Sequence, residues 1–217
     1  MPITNHLRNI VATLLLLTAT SAGAQSIHGY ITSGVTTSQI EGDELKGFKQ
    51  YGFVGGVGAL TAFSDRGHWG ASVEVLFSQR GAHANPSRYN AYAADLRLNY
   101  VDIPVLVHYQ DFFGGMLIGA GISYARLVQQ PHGELKYSPY DLIPDTNDMA
   151  FLKNDISAVL DCRFTIWRGL QLNLRWQYSL LPIKREWHFT QFVNNRPKEF
   201  ANDCYNHSVA LRLIYQF

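Results

Sequence analysis

The sequence predicts a closed antiparallel transmembrane β-barrel of eight strands, with short turns at one end and long loops at the other. Three observations carry the prediction. Eight short segments alternate apolar and polar residues, as strands do with lipid on one side and a polar lumen on the other. The connections between them alternate long and short, which insertion from one side produces. Hydrophobic residues make up 47% of the 217, yet beyond the N-terminal region none of them form the ~18-residue apolar run of a membrane helix.

The two ends agree with this. Arg8 precedes an apolar run from Ile10 to Leu17, interrupted by Thr13, and Ala22-Gly23-Ala24 follows as a small-residue cleavage site. Residues 1–24 therefore read as a cleaved signal peptide, the run being shorter than the ~20 residues needed to span. No Cys follows the site, which argues against a lipid anchor. About 193 residues remain, 25–217, enough for one barrel domain and marginal for two. At the other end, His207 to Phe217 alternates cleanly and stops on a bare Phe. The formal charge of +1 and the lack of a basic tract give no case for nucleic acid. Aromatic residues at 13%, with 12 Tyr and 12 Phe, suit the girdles at the two membrane interfaces.

In chain order the predicted strands are Ser26–Thr37, Tyr51–Phe63, Trp69–Gln79, Leu96–Tyr109, Gly115–Val128, Asn154–Trp167, Gln171–Leu181 and His207–Phe217. The first and fifth are glycine-rich and alternate weakly, so their register is left open. The third directs Trp69, Ala71, Val73, Val75 and Phe77 outward and Ser72 and Glu74 inward. The fourth directs Val101, Ile103, Val105 and Val107 outward and Tyr100 and Asp102 inward. On the sixth, Ile156, Ala158, Leu160, Cys162, Phe164 and Ile166 face lipid, opposite Asp155, Ser157, Asp161, Arg163 and Thr165. On the seventh, Leu172, Leu174, Trp176, Tyr178 and Leu180 face lipid, opposite Gln171, Asn173, Arg175, Gln177 and Ser179. The long connections are 39–50, 80–95, 129–153 and 182–205. A ten-stranded barrel is the alternative if the last of these hides a hairpin around Glu186–Phe192.

Glu74, Asp102, Asp161, Arg163, Arg175 and Arg212 are the ionisable residues at mid-strand on polar faces. Eight strands enclose a space that side chains fill, and charge at that depth is costly unless paired. A lumen plugged by a carboxylate–guanidinium network follows.

Small membrane barrels can carry hydrolase sites, so nucleophiles and bases were weighed. His207 and Ser208 are neighbours in a strand and point to opposite sides, which forbids a dyad. His108 reads as an interfacial residue beside Tyr109, and His28, His68, His83, His132 and His188 as strand-end or loop residues. Gly55-Gly56-Val57-Gly58 lacks the following helix of a phosphate loop. Cys162 reads as an apolar-face residue and Cys204 as a loop residue at a different depth, so neither a disulfide nor a zinc site is favoured. Asp141, Asp145 and Asp148 lack EF-hand spacing. No catalytic residue, metal or cofactor is assigned. The long loops remain as candidate contacts for a partner, a glycan or lipid headgroups.

Several strands resemble those of the PorT-like outer-membrane β-barrels of Bacteroidetes-type bacteria, often labelled the porin family. Leu98-Asn99-Tyr100-Val101-Asp102-Ile103-Pro104-Val105-Leu106-Val107 is similar to the family's L-x-Y-L-E-I-P-L-L-L strand, and Val73 to Gly81 to its E-L-x-Y-S-x-K-G segment. Asn154-Asp155-Ile156 resembles the opening of a later strand, Leu172 to Leu180 resembles L-x-x-R-Y-x-x-G-L, and Leu213 to Phe217 resembles the closing L-x-Y-x-F. Asp102 stands where Glu is usual and Ser179 where Gly is usual. The resemblance implies residence in the outer membrane and folding by the barrel assembly machinery, with Leu213, Tyr215 and Phe217 as the C-terminal assembly signal. It does not imply a pore. The leading functional expectation is a non-enzymatic structural or surface interaction protein in contact with outer-membrane lipids. Its rivals are an accessory subunit of a secretion or transport machine with an unknown partner, and a small lipid-modifying enzyme.

Overall fold

The computed structural model describes residues 27–42, 47–64, 68–84, 93–111, 115–129, 135–136, 151–193 and 196–217. The expected signal peptide and the acidic loop residues Asp141, Asp145 and Asp148 lie outside the described residues.

Among the described residues ten strands form: β1 (Ile27–Glu41), β2 (Gln50–Ala62), β3 (Trp69–Ala84), β4 (Ala93–Gln110), β5 (Met116–Gln129), β6 (Leu135–Lys136), β7 (Asn154–Trp167), β8 (Leu170–Ser179), β9 (Lys184–Val193) and β10 (Arg196–Gln216). Eight of them, β1 to β5 with β7, β8 and β10, pair with their neighbours in an antiparallel ring, and β1 closes it against β10 from Tyr30↔Gln216 to Glu41↔Tyr205. Closure removes the sheet edge, which lipid would leave unsatisfied. The other two lie outside the ring. The two-residue β6 pairs only with the outer end of β4. β9 pairs only with the outer part of β10, from Val193↔Arg196 to Lys184↔Cys204. A hairpin is therefore present around Glu186–Phe192, but it stands above an eight-stranded barrel and does not widen it.

At the turn end the shortest connection is Arg168-Gly169. Gly169 has φ +75°, a conformation open to glycine at no steric cost, and its carbonyl accepts from the Gln216 backbone N–H at 2.8 Å. Glycine inside the lumen serves a second purpose. The Tyr30 ring lies where a Cβ on Gly58 would sit, so β2 makes room for a large side chain by having none. Gly58→Val is expected to lower the urea midpoint by an amount worth about 1–3 kcal/mol, the usual cost of overpacking, in a folding titration in micelles.

The faces follow the predicted parity along the membrane part of the wall. Val73, Val75, Ile103, Val105, Val107, Leu160, Leu174, Leu211 and Leu213 are all exposed on the outside, while Ser72, Glu74, Asp102, Asp161, Arg163, Arg175 and Arg212 are buried within. Trp69 and Tyr109 meet edge to face at the turn end, ring centroids 5.1 Å apart. Trp176, Tyr178 and Tyr205 form the other girdle as nearly parallel rings.

The strands run well past the predicted ends: β1 continues to Glu41, β3 to Ala84, and β4 begins at Ala93. Parity is kept while polarity inverts. On β4, Leu96 and Leu98 point inward and Arg97 and Asn99 outward. Ile40, Ala82, Leu96, Leu98, Leu127, Phe151, Ile183 and Cys204 fill the outer end of the barrel as an apolar plug. Beyond the hydrocarbon the surroundings are water, so the burial rule reverts to that of a soluble barrel. Cys204 accordingly sits in β10 and is buried, not in a loop, and it does not pair with the lipid-facing Cys162.

Candidate functional site: lumen and outer rim

The buried charges form two layers. In the inner layer Glu74 is the hub. Its Oε2 accepts from Arg175 Nη1 at 2.8 Å and Arg212 Nη1 at 3.0 Å. Its Oε1 accepts from Tyr30 Oη at 2.7 Å, Arg163 Nη2 at 3.0 Å and Arg175 Nη2 at 3.1 Å. Asp161 answers from β7: Oδ2 takes Arg163 Nε at 2.8 Å, and Oδ1 takes Arg175 Nε at 2.9 Å and Arg212 Nη2 at 3.3 Å. Asn173 donates to Asp161 Oδ1 at 2.9 Å and accepts from Arg212 Nε at 2.7 Å. The Arg163 guanidinium also lies 4.9 Å from the centroid of the Tyr30 ring.

Asp102 stands apart from these five, in an outer layer whose centre is Arg80. Arg80 forms a close ion pair with Asp102 and a second with Asp155 at 3.3 Å. Ser78 Oγ donates to Asp102 at 2.9 Å, and Ser179 Oγ and Asn206 Nδ2 donate to Asp155 at 2.9 and 3.3 Å. Asn206 also reaches Tyr100 Oη at 3.2 Å, and Arg80 sits over the Tyr100 ring at 5.1 Å. Arg80 and Asp155 are the members that sequence reasoning missed. Arg80 lies one residue past Gln79, where the predicted third strand ends, yet it shares the parity of Ser72, Glu74 and Ser78. Asp155 was placed on the inner face but, as the second residue of its strand, was left out of the charge set.

Three arginines face two carboxylates in the inner layer, and one arginine faces two in the outer. The formal sum over the two layers is zero. Between the layers lies a cavity of about 20 Å³ edged by Arg80, Asp102, Arg175 and Gln177, room for a single water. The apolar plug lies above it.

Among the described residues the serines and histidines do not assemble into a hydrolase site. Ser208 is buried in the lumen, while His207 faces outward and accepts from Trp176 Nε1 at 2.7 Å, so the two cannot act together. His108 is not interfacial. It is fully buried in the lumen, and its Nε2 lies 2.7 Å from Ser72 Oγ. Nucleophile and base are thus within reach, but Nδ1 of His108 has no hydrogen-bond partner among the described residues. An orienting third group is missing there, and both side chains are sealed from substrate. Gly119 on β5 leaves the space that the imidazole occupies; a small residue opposite His108 was the signal for an inward ring.

At the closing strand, Leu213, Tyr215 and Phe217 all lie exposed on the lipid side. The Phe217 backbone N–H donates to the Gly29 carbonyl at 3.0 Å, carrying the seam to the last residue.

A family model described as the outer membrane protein beta-barrel domain matches residues 10–217. Ail, the attachment invasion locus protein of Yersinia pestis, is similar at 15% identity over 88% of this chain and 99% of its own, with a TM-score of 0.45. Neisserial surface protein A is similar at 10% identity over 87% and 97%, with a TM-score of 0.46. OprG of Pseudomonas aeruginosa is similar at 12% identity over 90% and 98%, with a TM-score of 0.41. No curated protein matches the chain.

Proposed function

Because this chain belongs to the outer membrane protein beta-barrel family, we propose that it is a non-enzymatic integral outer-membrane protein that works through what it presents at the cell surface, not through its lumen. One observation carries the reading: the interior is occupied from wall to wall by paired charges and then by the apolar plug. What remains for interaction is the outer rim, with the β9–β10 hairpin projecting from it. The Leu98–Val107 and Leu172–Leu180 motifs support placing the chain in the PorT-like group. In the same reading, Leu213, Tyr215 and Phe217 serve the assembly machinery through their lipid-side row. Liposomes carrying the refolded protein should swell no faster in small sugars than empty ones. Swelling at porin-like rates would refute the closed-lumen role.

A further inference from the structure

We propose that the outer rim of β4, β5 and β7 binds the phosphate-bearing headgroup of an outer-leaflet lipid, held by Arg126 and Lys153. The placement follows from register. Going outward along β5, the lipid-facing residues are Ile118, Ala120, Ile122 and Tyr124, and then Arg126. Tyr124 pairs with Ile103 and Ile156, and Arg126 pairs with Val101 and Asn154. The first cation therefore stands one outward step, about 7 Å of strand, beyond a girdle tyrosine. That is the height at which hydrocarbon gives way to headgroups.

Arg126 and Lys153 are both exposed. The Lys153 carbonyl accepts from the Leu127 backbone N–H at 2.7 Å, which fixes Lys153 beside the residue that follows Arg126. Neutral polar groups surround the pair: Asn99 Nδ2 donates to Gln129 Oε1 at 2.8 Å, and Tyr124 Oη donates to Asn154 Oδ1 at 2.9 Å. Among the described side chains, the outward residues of this rim include no carboxylate. Around the barrel at β1 and β10, the outward positions carry Glu41 and Asp203 instead. A guanidinium beside an ammonium offers charge-assisted hydrogen bonds to phosphate oxygens. Ile103, Ile122 and Ile156 directly below supply a surface for acyl chains, which a lipid uses and a free phosphate does not.

The inference goes beyond the closed-lumen reading and is independent of it, since a conducting barrel could carry the same rim. The test is native mass spectrometry of the intact detergent-extracted protein titrated with phosphatidylglycerol, with diacylglycerol and inorganic phosphate as comparison probes. The wild type should retain phosphatidylglycerol in preference to diacylglycerol, and Arg126→Gln/Lys153→Gln should weaken it about tenfold, while Glu41→Gln leaves it unchanged. Should the double variant fail to fold, Arg126→Gln and Arg126→Lys are compared singly, and only the first should lose affinity. Equal retention by the variants overturns the site. Inorganic phosphate displacing the lipid at equal concentration overturns the assignment to a lipid.

Discussion

Glu74→Gln is expected to lower the stability of the folded barrel by about 3–5 kcal/mol, the cost of removing one partner from a buried ion pair. Glu74 accepts hydrogen bonds from three guanidiniums and from Tyr30 at once. Without its charge, Asp161 is the sole inner-layer carboxylate left to face Arg163, Arg175 and Arg212, all nearly inaccessible to water. Arg175→Met removes one cation from the layer and leaves Glu74 and Asp161 each with two arginine partners, so its effect should be smaller. Urea unfolding followed by heat-modifiable migration separates the two. The comparison discriminates between a layer held by charge balance and one held by packing alone, for which the shorter-range disruption of Arg175→Met would be as severe.

The second large effect is on the opposite face. Leu211 and Arg212 are adjacent in β10, one exposed to lipid and one buried in the ion layer. Leu211→Arg places a charge near mid-depth in hydrocarbon and should cost about 2–4 kcal/mol. His207→Arg, two alternations nearer the rim, should cost about 0–1 kcal/mol for the same added charge. Refolding into bilayers across a urea series measures both. A depth-independent penalty would mean that β10 does not cross the membrane as its register states.

Which parts of this were legible in the sequence depends on where polarity and parity agree. On β8 every second residue is apolar and the rest polar, and on β7 the inward set is polar from Asp155 to Thr165 apart from Val159, so Asp161, Arg163 and Arg175 could be placed inside from the pattern alone. The pattern fails where the solvent changes. Leu96 and Leu98 alternate with Arg97 and Asn99 in the same parity as the membrane part, but the apolar set has moved inside. A rule that sends apolar residues outward would give Leu96 and Leu98 the wrong face, and on β3 the predicted strand stops at Gln79, one residue short of Arg80. His108 was missed because its parity was outweighed by its place near a strand end. The space that Gly119 leaves for it is set by a neighbouring strand, which β4 alone does not reveal.

The closed, lipid-bounded wall is tested most directly by attaching a nitroxide at successive positions from Gln171 to Ser179 of β8, in a background lacking Cys162 and Cys204, and reading access to oxygen and to a water-soluble nickel complex in bilayers. High oxygen access is expected at Leu172, Leu174 and Trp176, and little access to either reagent at Asn173, Arg175 and Gln177. Nickel access at Asn173 and Arg175 would reveal a water-filled channel, and a profile without two-residue alternation would mean that β8 does not stand as one stave of a closed barrel.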